Sequence, residues 1–169
     1  MMTNSFLVNK DLTDAGKYES LLLQIEALIN PEEPLISNLA NVTAALKAAF
    51  DKISWVGFYL IKDEKLFLGP FQGNVACTVI EIGKGVCGLS TSRKETIIVD
   101  DVNKFPGHIA CDSGSRSEIV VPLIKNGLIF GVLDLDSYQY SSFDETDKYY
   151  LEILSKILTQ KLPFERIVL

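Results

Sequence analysis

The sequence has one histidine, one tryptophan, two methionines and three cysteines in 169 residues, and each scarcity excludes something. A lone histidine and cysteines as far apart as Cys77, Cys87 and Cys111 do not make the closely spaced knuckles of a structural zinc site, so no metal is expected. An odd cysteine count argues against a secreted disulfide framework and for a reducing, cytoplasmic setting. Basic residues are outnumbered, 16 Lys+Arg against 22 Asp+Glu, for a net charge of −6. The electrostatic footprint of a nucleic-acid binder is therefore missing. No stretch approaches the roughly 18 apolar residues of a membrane span, and residues 1–11 hold no apolar core of signal-peptide length. Repeats, low-complexity tracts and linker-like runs are also lacking. What remains, 47% apolar and 22% charged, suits one domain over residues 1–169 that needs no covalent staples.

Apolar residues recur at helical spacing from Tyr18 to Ile29, with Pro31 as the stop, and again at Leu35, Leu39, Val42, Leu46 and Phe50. Residues 53–61 are β-branched and aromatic and apolar on both faces, as in an interior strand. The polar segment 62–65 turns the chain into a second strand over 66–69. Short strands are expected at 77–82 and 96–99, with a brief helix over Gly85–Arg93 between them. Strands at 118–124 and 128–136 flank Asn126-Gly127, a hairpin signal. Ser142-Phe143-Asp144-Glu145 reads as a capping box that opens a last helix. Hairpin joints in this order predict an α+β domain, a central antiparallel sheet of about six strands with helices packed mainly on one face.

The long connection over 100–117 holds Pro106, Gly107 and Gly114 and carries Cys111. A loop thiol has the exposure that reactivity needs, and Arg116 or loop amides could favour its thiolate, whereas Asp112 would oppose it unless turned away. Local context leaves Cys111 open between an attacking thiol and a packed side chain. Cys87, at the start of the brief helix, is equally open between a thiolate stabilised by the helix end and tight packing. Cys77 reads as a strand residue filling core, and His108 as a loop hydrogen-bonder rather than a base.

Asp134 and Asp136 stand two apart on a strand and so share one face, with Leu133 and Leu135 on the other. The Asn-Gly hairpin brings Glu118 alongside. Three carboxylates on one patch call for a compensating cation, a metal or a ligand ammonium, unless the patch faces open water. Trp55 and Tyr59 share a strand face, and Gly57 between them predicts a shallow gap, walled by aromatics, that suits an apolar or sulfur-bearing group. Hydrophobic core is the other reading of that pair.

Several strings together resemble a known family: Trp55-Val56-Gly57-Phe58-Tyr59-Leu60, Ala76-Cys77-Thr78, Gly85-Val86-Cys87-Gly88, Phe105-Pro106-Gly107-His108-Ile109-Ala110-Cys111-Asp112 and Gly131-Val132-Leu133-Asp134-Leu135-Asp136-Ser137. In order and spacing, over about residues 15–160, they are similar to the free methionine-(R)-sulfoxide reductases, which are GAF-domain proteins. The resemblance implies reduction of free methionine-(R)-sulfoxide, with no cofactor. Cys111 would attack, Cys77 would resolve the sulfenic acid as a disulfide, Cys87 would be a secondary thiol, and a thioredoxin-type partner would recycle the pair. Glu118 would act as proton donor. Trp55, Tyr59, Glu118, Asp134 and Asp136 would bind the substrate, and the protein would be a homodimer. A non-catalytic GAF ligand sensor or a thiol redox sensor is the alternative. The tail beyond residue 162 extends past the resemblance.

Overall fold

Thr13 opens the first helix by accepting a hydrogen bond from the Gly16 amide at 3.3 Å, and α1 runs over Asp14–Leu28. The computed structural model describes residues 8–109 and 111–166; what the sequence implied about residues 1–7, Ala110 and residues 167–169 lies outside the described residues. Next come α2 (Leu35–Ala49), β1 (Trp55–Lys62), β2 (Lys65–Gln72), β3 (Val79–Glu81), α3 (Gly85–Arg93), β4 (Ile97–Val99), β5 (Ser117–Lys125), β6 (Leu128–Ser137) and α4 (Glu145–Lys161). The six strands form one antiparallel sheet in the order β3-β2-β1-β6-β5-β4. The α+β architecture expected from the hairpin pattern is the one observed. Among the described residues, no helix is long and apolar enough to cross a membrane.

Alternation along the central strands divides the apolar residues into two cores. Val56, Phe58 and Leu60 of β1 join Ile119, Val121, Leu133 and Leu135 beneath α1, α2 and α4. Each fully buried leucine or phenylalanine there contributes roughly 1.5–3 kcal/mol. Trp55, Tyr59, Val120 and Val132 point the other way, toward α3 and its Val86 and Cys87. Gly131 lies between β1 and its neighbour at φ +156°, where an added Cβ would strike the Tyr59 carbonyl. Only glycine lets the two strands approach there.

Three local readings are corrected. Cys77 sits in the irregular segment before β3 rather than in a strand core, and it is half-buried. β2 extends to Gln72, three residues beyond its expected end, because residues 71 and 72 continue the ladder with β1. The capping box forms two residues later than its sequence match. The Asp144 carboxylate accepts from the Thr146 and Asp147 amides, and Asp147 in return accepts from the Asp144 amide. Ser142 is occupied elsewhere, its hydroxyl bonding Ser137 and the Gln139 carbonyl.

Asp147 also anchors a charged network under the sheet. Lys52 Nζ reaches Asp147 at 2.7 Å and Asp14 at 2.6 Å, and the Tyr18 hydroxyl donates to Asp147 at 2.8 Å. Burial works against the Lys52 charge, but the hydrogen bonds to Asp14 and Asp147 outweigh it and hold its pKa above the ordinary lysine value. The contribution is therefore present below the unfolded lysine pKa and lost only as pH rises through the higher folded one. Lys52→Met leaves the buried Asp147 carboxylate without its cation, for an expected loss of about 3–5 kcal/mol. Urea unfolding at pH 7 measures it; a change under about 1 kcal/mol would mean that the network has the weight of a surface pair.

Candidate active site

Strand register builds the acidic wall. Asp136 is paired with Trp55 on one side and Glu118 on the other, and Asp134 with Gly57 and Val120. Residues in one antiparallel row share a face. Trp55, Asp136 and Glu118 therefore point toward α3, as do Gly57 and Asp134 in the next row and Tyr59 in the one after. Glu118 and Asp134 are each only 6% exposed, and Asp136 is half-buried. Open water, one of the three ways such a patch could be tolerated, is thus ruled out.

Burial changes the protonation of all three acids. It raises Glu118 well above the usual carboxylate range, and repulsion from Asp134 and then Asp136 adds to it. Burial and the Asp136 charge do the same to Asp134, and burial pushes Asp136 up to about 7. Desolvation outranks mutual repulsion as the cause. Asp134 Oδ2 accepts from the Cys87 thiol at 3.3 Å, while Oδ1 is buried with no hydrogen-bond partner. A proton shared with the Glu118 carboxyl, or a ligand donor, can satisfy that oxygen. Ligand atoms of Cys87, Glu118 and Asp134 lie within 4.8 Å of one another, a spacing that protons or a small cation can hold together.

Of the two readings left open for Cys87, the structure favours the packed thiol over the thiolate. Cys87 occupies the first turn of α3, but it is 4% exposed, and burial followed by the Asp134 charge raises its pKa well above the thiol value. The loss of solvation outweighs the helix-end field. Cys87 is a free, protonated thiol that donates a hydrogen bond.

The gap expected over Gly57 is filled. A Cβ there would strike the Trp55 ring, and the indole lies stacked between Tyr59, at 6.1 Å between ring centroids, and Phe71, at 5.5 Å. Glycine makes room for the tryptophan rather than for a ligand. The polar tips of the two rings hold the chain beyond β2. Trp55 Nε1 donates to the Asn74 carbonyl at 3.0 Å and the Tyr59 hydroxyl to the Cys77 carbonyl at 2.9 Å.

This brings Cys77 over the pocket, where it is joined to Cys111 in a disulfide with a Cα–Cα separation of 5.3 Å. The pocket below is lined by Trp55, Tyr59, Cys87, Cys111 and the three acids. All the candidate catalytic and binding residues except Cys77 line this pocket, and Cys77 closes it through the disulfide. The Gly114 amide, and then Tyr138 and Asn74, hold the Asp112 carboxylate and keep its pKa below the ordinary value. Arg116 bonds the Ser113 and Ser115 carbonyls.

Lys84 and Ser115, which sequence reasoning passed over, also line the pocket, as does His108, which was read as a loop hydrogen-bonder. His108 Nε2 lies 3.8 Å from Glu118 Oε2. Burial lowers the histidine pKa while Glu118 is raised, so at neutral pH this is a contact between neutral groups, not an ion pair.

With this geometry in view, comparison with known proteins is direct. A family model described as GAF domain matches residues 39–162. The chain is 57% identical over 143 residues to GAF domain-containing protein A of Dictyostelium discoideum, covering 84% of this chain and 90% of that one. It is 46% identical over 155 residues to the free methionine-R-sulfoxide reductase of Saccharomyces cerevisiae, covering 87% and 86%. It also superposes, with a TM-score of 0.88 and 47% identity over 95% of this chain and 96% of the other, on an X-ray structure of free methionine-R-sulfoxide reductase from Neisseria meningitidis in complex with its substrate.

Proposed function

The chain belongs to the GAF-domain family of free methionine-(R)-sulfoxide reductases, and from that premise we propose that it reduces free L-methionine-(R)-S-oxide to methionine with the thiols of Cys111 and Cys77. The observation that carries the reading is the Cys77–Cys111 disulfide standing over a pocket that buries three acids beside an aromatic wall.

In this mechanism the Cys111 thiolate attacks the sulfoxide sulfur, and Glu118 gives its proton to the sulfoxide oxygen. The oxygen then passes to the Cys111 sulfur as the new bond between the two sulfurs and the substrate sulfur–oxygen bond break. Methionine thus leaves reduced by two electrons, and Cys111 is left as a sulfenic acid. The proton lost by the Cys111 thiol replaces the one Glu118 gave. Cys77 then attacks the Cys111 sulfur, forming the disulfide and releasing water. A dithiol of the thioredoxin type returns both cysteines to thiols in a reducing, cytoplasmic setting. Asp134 and Asp136 take the substrate ammonium, whose charge draws both carboxyls toward ionisation. Lys84 offers a cation for the substrate carboxylate. Trp55 and Tyr59 support the methyl-sulfur end, and the thiol of Cys87 orients Asp134. The homodimeric state of the family is carried over with the activity.

Free rather than peptide-bound substrate follows from the ammonium site, because an acylated nitrogen carries no charge to pair with two buried aspartates. Reduced protein incubated with free methionine-(R)-sulfoxide and a dithiol reductant should release methionine stoichiometrically with sulfoxide consumed. The N-acetylated sulfoxide should react at least about a hundredfold more slowly, the scale of losing a buried charged hydrogen bond. No methionine and no loss of thiols would leave a ligand-sensing domain. Loss of thiols without methionine would leave a redox sensor.

A further inference from the structure

The two segments that carry the disulfide are fastened by side chains as well as by sulfur. Asn74, three residues before Cys77, donates from Nδ2 to the Tyr138 hydroxyl at 2.9 Å and to Asp112 Oδ2 at 3.3 Å. The Tyr138 hydroxyl donates to the same Asp112 oxygen at 2.9 Å. Asp112 directly follows Cys111, and its second oxygen caps its own loop by accepting from the Gly114 amide at 2.9 Å. The Tyr138 ring lies so close over Gly114 that an added Cβ would come within 2.8 Å of it. Tyr138 follows the last residue of β6, so it presents its hydroxyl from the rigid end of the strand that also carries Asp134 and Asp136. The ring is half-exposed and does not line the pocket. Burial does not account for a tyrosine placed there, whereas the three-way hydrogen bonding does.

We infer that Asn74, Asp112 and Tyr138 form a clasp that brings the Cys77 and Cys111 loops together and so speeds disulfide formation after the oxygen has been transferred. The inference rests on the reductase reading for its place in the cycle. The clasp acts on the second step only: the Cys77 sulfur attacks the Cys111 sulfenic sulfur, the S–O bond breaks, and hydroxide leaves with the Cys77 proton as water. Holding the two sulfurs near each other raises their effective concentration. Oxygen transfer from substrate to Cys111 does not involve Cys77 and gains nothing from it. Tyr138 and Asn74 are therefore positioning residues.

Tyr138→Phe removes one hydroxyl and breaks two of the clasp's hydrogen bonds, and adding Asn74→Ala removes the third. In a single turnover of reduced protein with free methionine-(R)-sulfoxide, methionine release should match wild type in both variants. Disulfide formation should slow by about tenfold in Tyr138→Phe, and more in the double variant. Sulfenic acid trapped by dimedone should accumulate in the interval. Hydrogen peroxide, which oxidises Cys111 without substrate, should give the same slowing of the second step. If wild type releases no methionine, the reductase reading fails, and the peroxide experiment still decides the clasp. Disulfide formation at the wild-type rate would overturn the clasp. So would equal slowing of both steps with a lowered melting temperature of the reduced protein, which would make Tyr138 a structural residue only.

Discussion

Cys111→Ser should abolish turnover, with methionine formation falling by a factor of at least about 10³. Attack on a sulfoxide sulfur needs a thiolate, and a serine hydroxyl neither ionises near neutral pH nor carries a sulfur that can accept the oxygen. Because the serine side chain is nearly isosteric, the pocket beneath it should survive, and substrate should still bind. Single-turnover methionine release, measured with every thiol reduced beforehand, separates this from a defect in recycling. A Cys77→Ser variant should release close to one methionine per chain and then stop, since only the second step is lost. Near-normal release by Cys111→Ser would transfer the attacking role to another thiol. Cys87 would be the candidate, although its burial and its hydrogen bond to Asp134 hold it as a neutral thiol.

Glu118→Gln should lower kcat by about 10²–10⁴, the usual worth of a placed general acid, with a smaller change in KM. Glutamine keeps the shape and a hydrogen bond but has no proton to release to the leaving oxygen. In wild type, activity should fall at high pH as Glu118 loses its proton through its raised pKa. The variant should lack that limb. Stability gives an independent check of opposite sign. An acid whose folded pKa is raised makes the folded state bind more protons than the unfolded one, so stability falls as pH rises between the two values and is flat above the folded pKa. Asp136 alone spans the window from its ordinary 3.8 to about 7, and Glu118 shifts in the same direction. Glu118→Gln should therefore raise the melting temperature more at pH 8 than at pH 5. A variant of normal kcat and lowered melting temperature would make Glu118 a structural carboxyl instead.

The Gly85–Arg93 helix was legible because its glycines and small residues bound a short run, and its limits match those observed. That Glu118 stands alongside Asp134 and Asp136 was legible from the side-chain period and the Asn-Gly hairpin. Its pairing with Asp136 also depends on the irregularity between Leu123 and Ile124 that shifts the register. The frame of the capping box was not, since Ser142 and Asp144 both satisfy the local rule. Ser142 is drawn off by Ser137 and Gln139 across the turn. Gly57 was misread for a related reason: the residue that fills its space includes Phe71 of another strand as well as its neighbour Trp55.

The disulfide pairing illustrates the boundary best. Motif order implied it, but nothing local brings Cys77 and Cys111, 34 residues apart, to one place. The polar tips of Trp55 and Tyr59 do so from one side, and Asp112 and Tyr138 from the other. By itself the sequence determined the element order, the sheet faces and which thiols and acids were candidates, because each depends on neighbours along the chain or on motif order. Only the tertiary structure decided that the acids are buried and proton-holding, that Cys87 is a donor to Asp134, and that His108 stands at Glu118. Those properties depend on solvent exclusion and on contacts between segments distant in sequence, which periodicity does not encode.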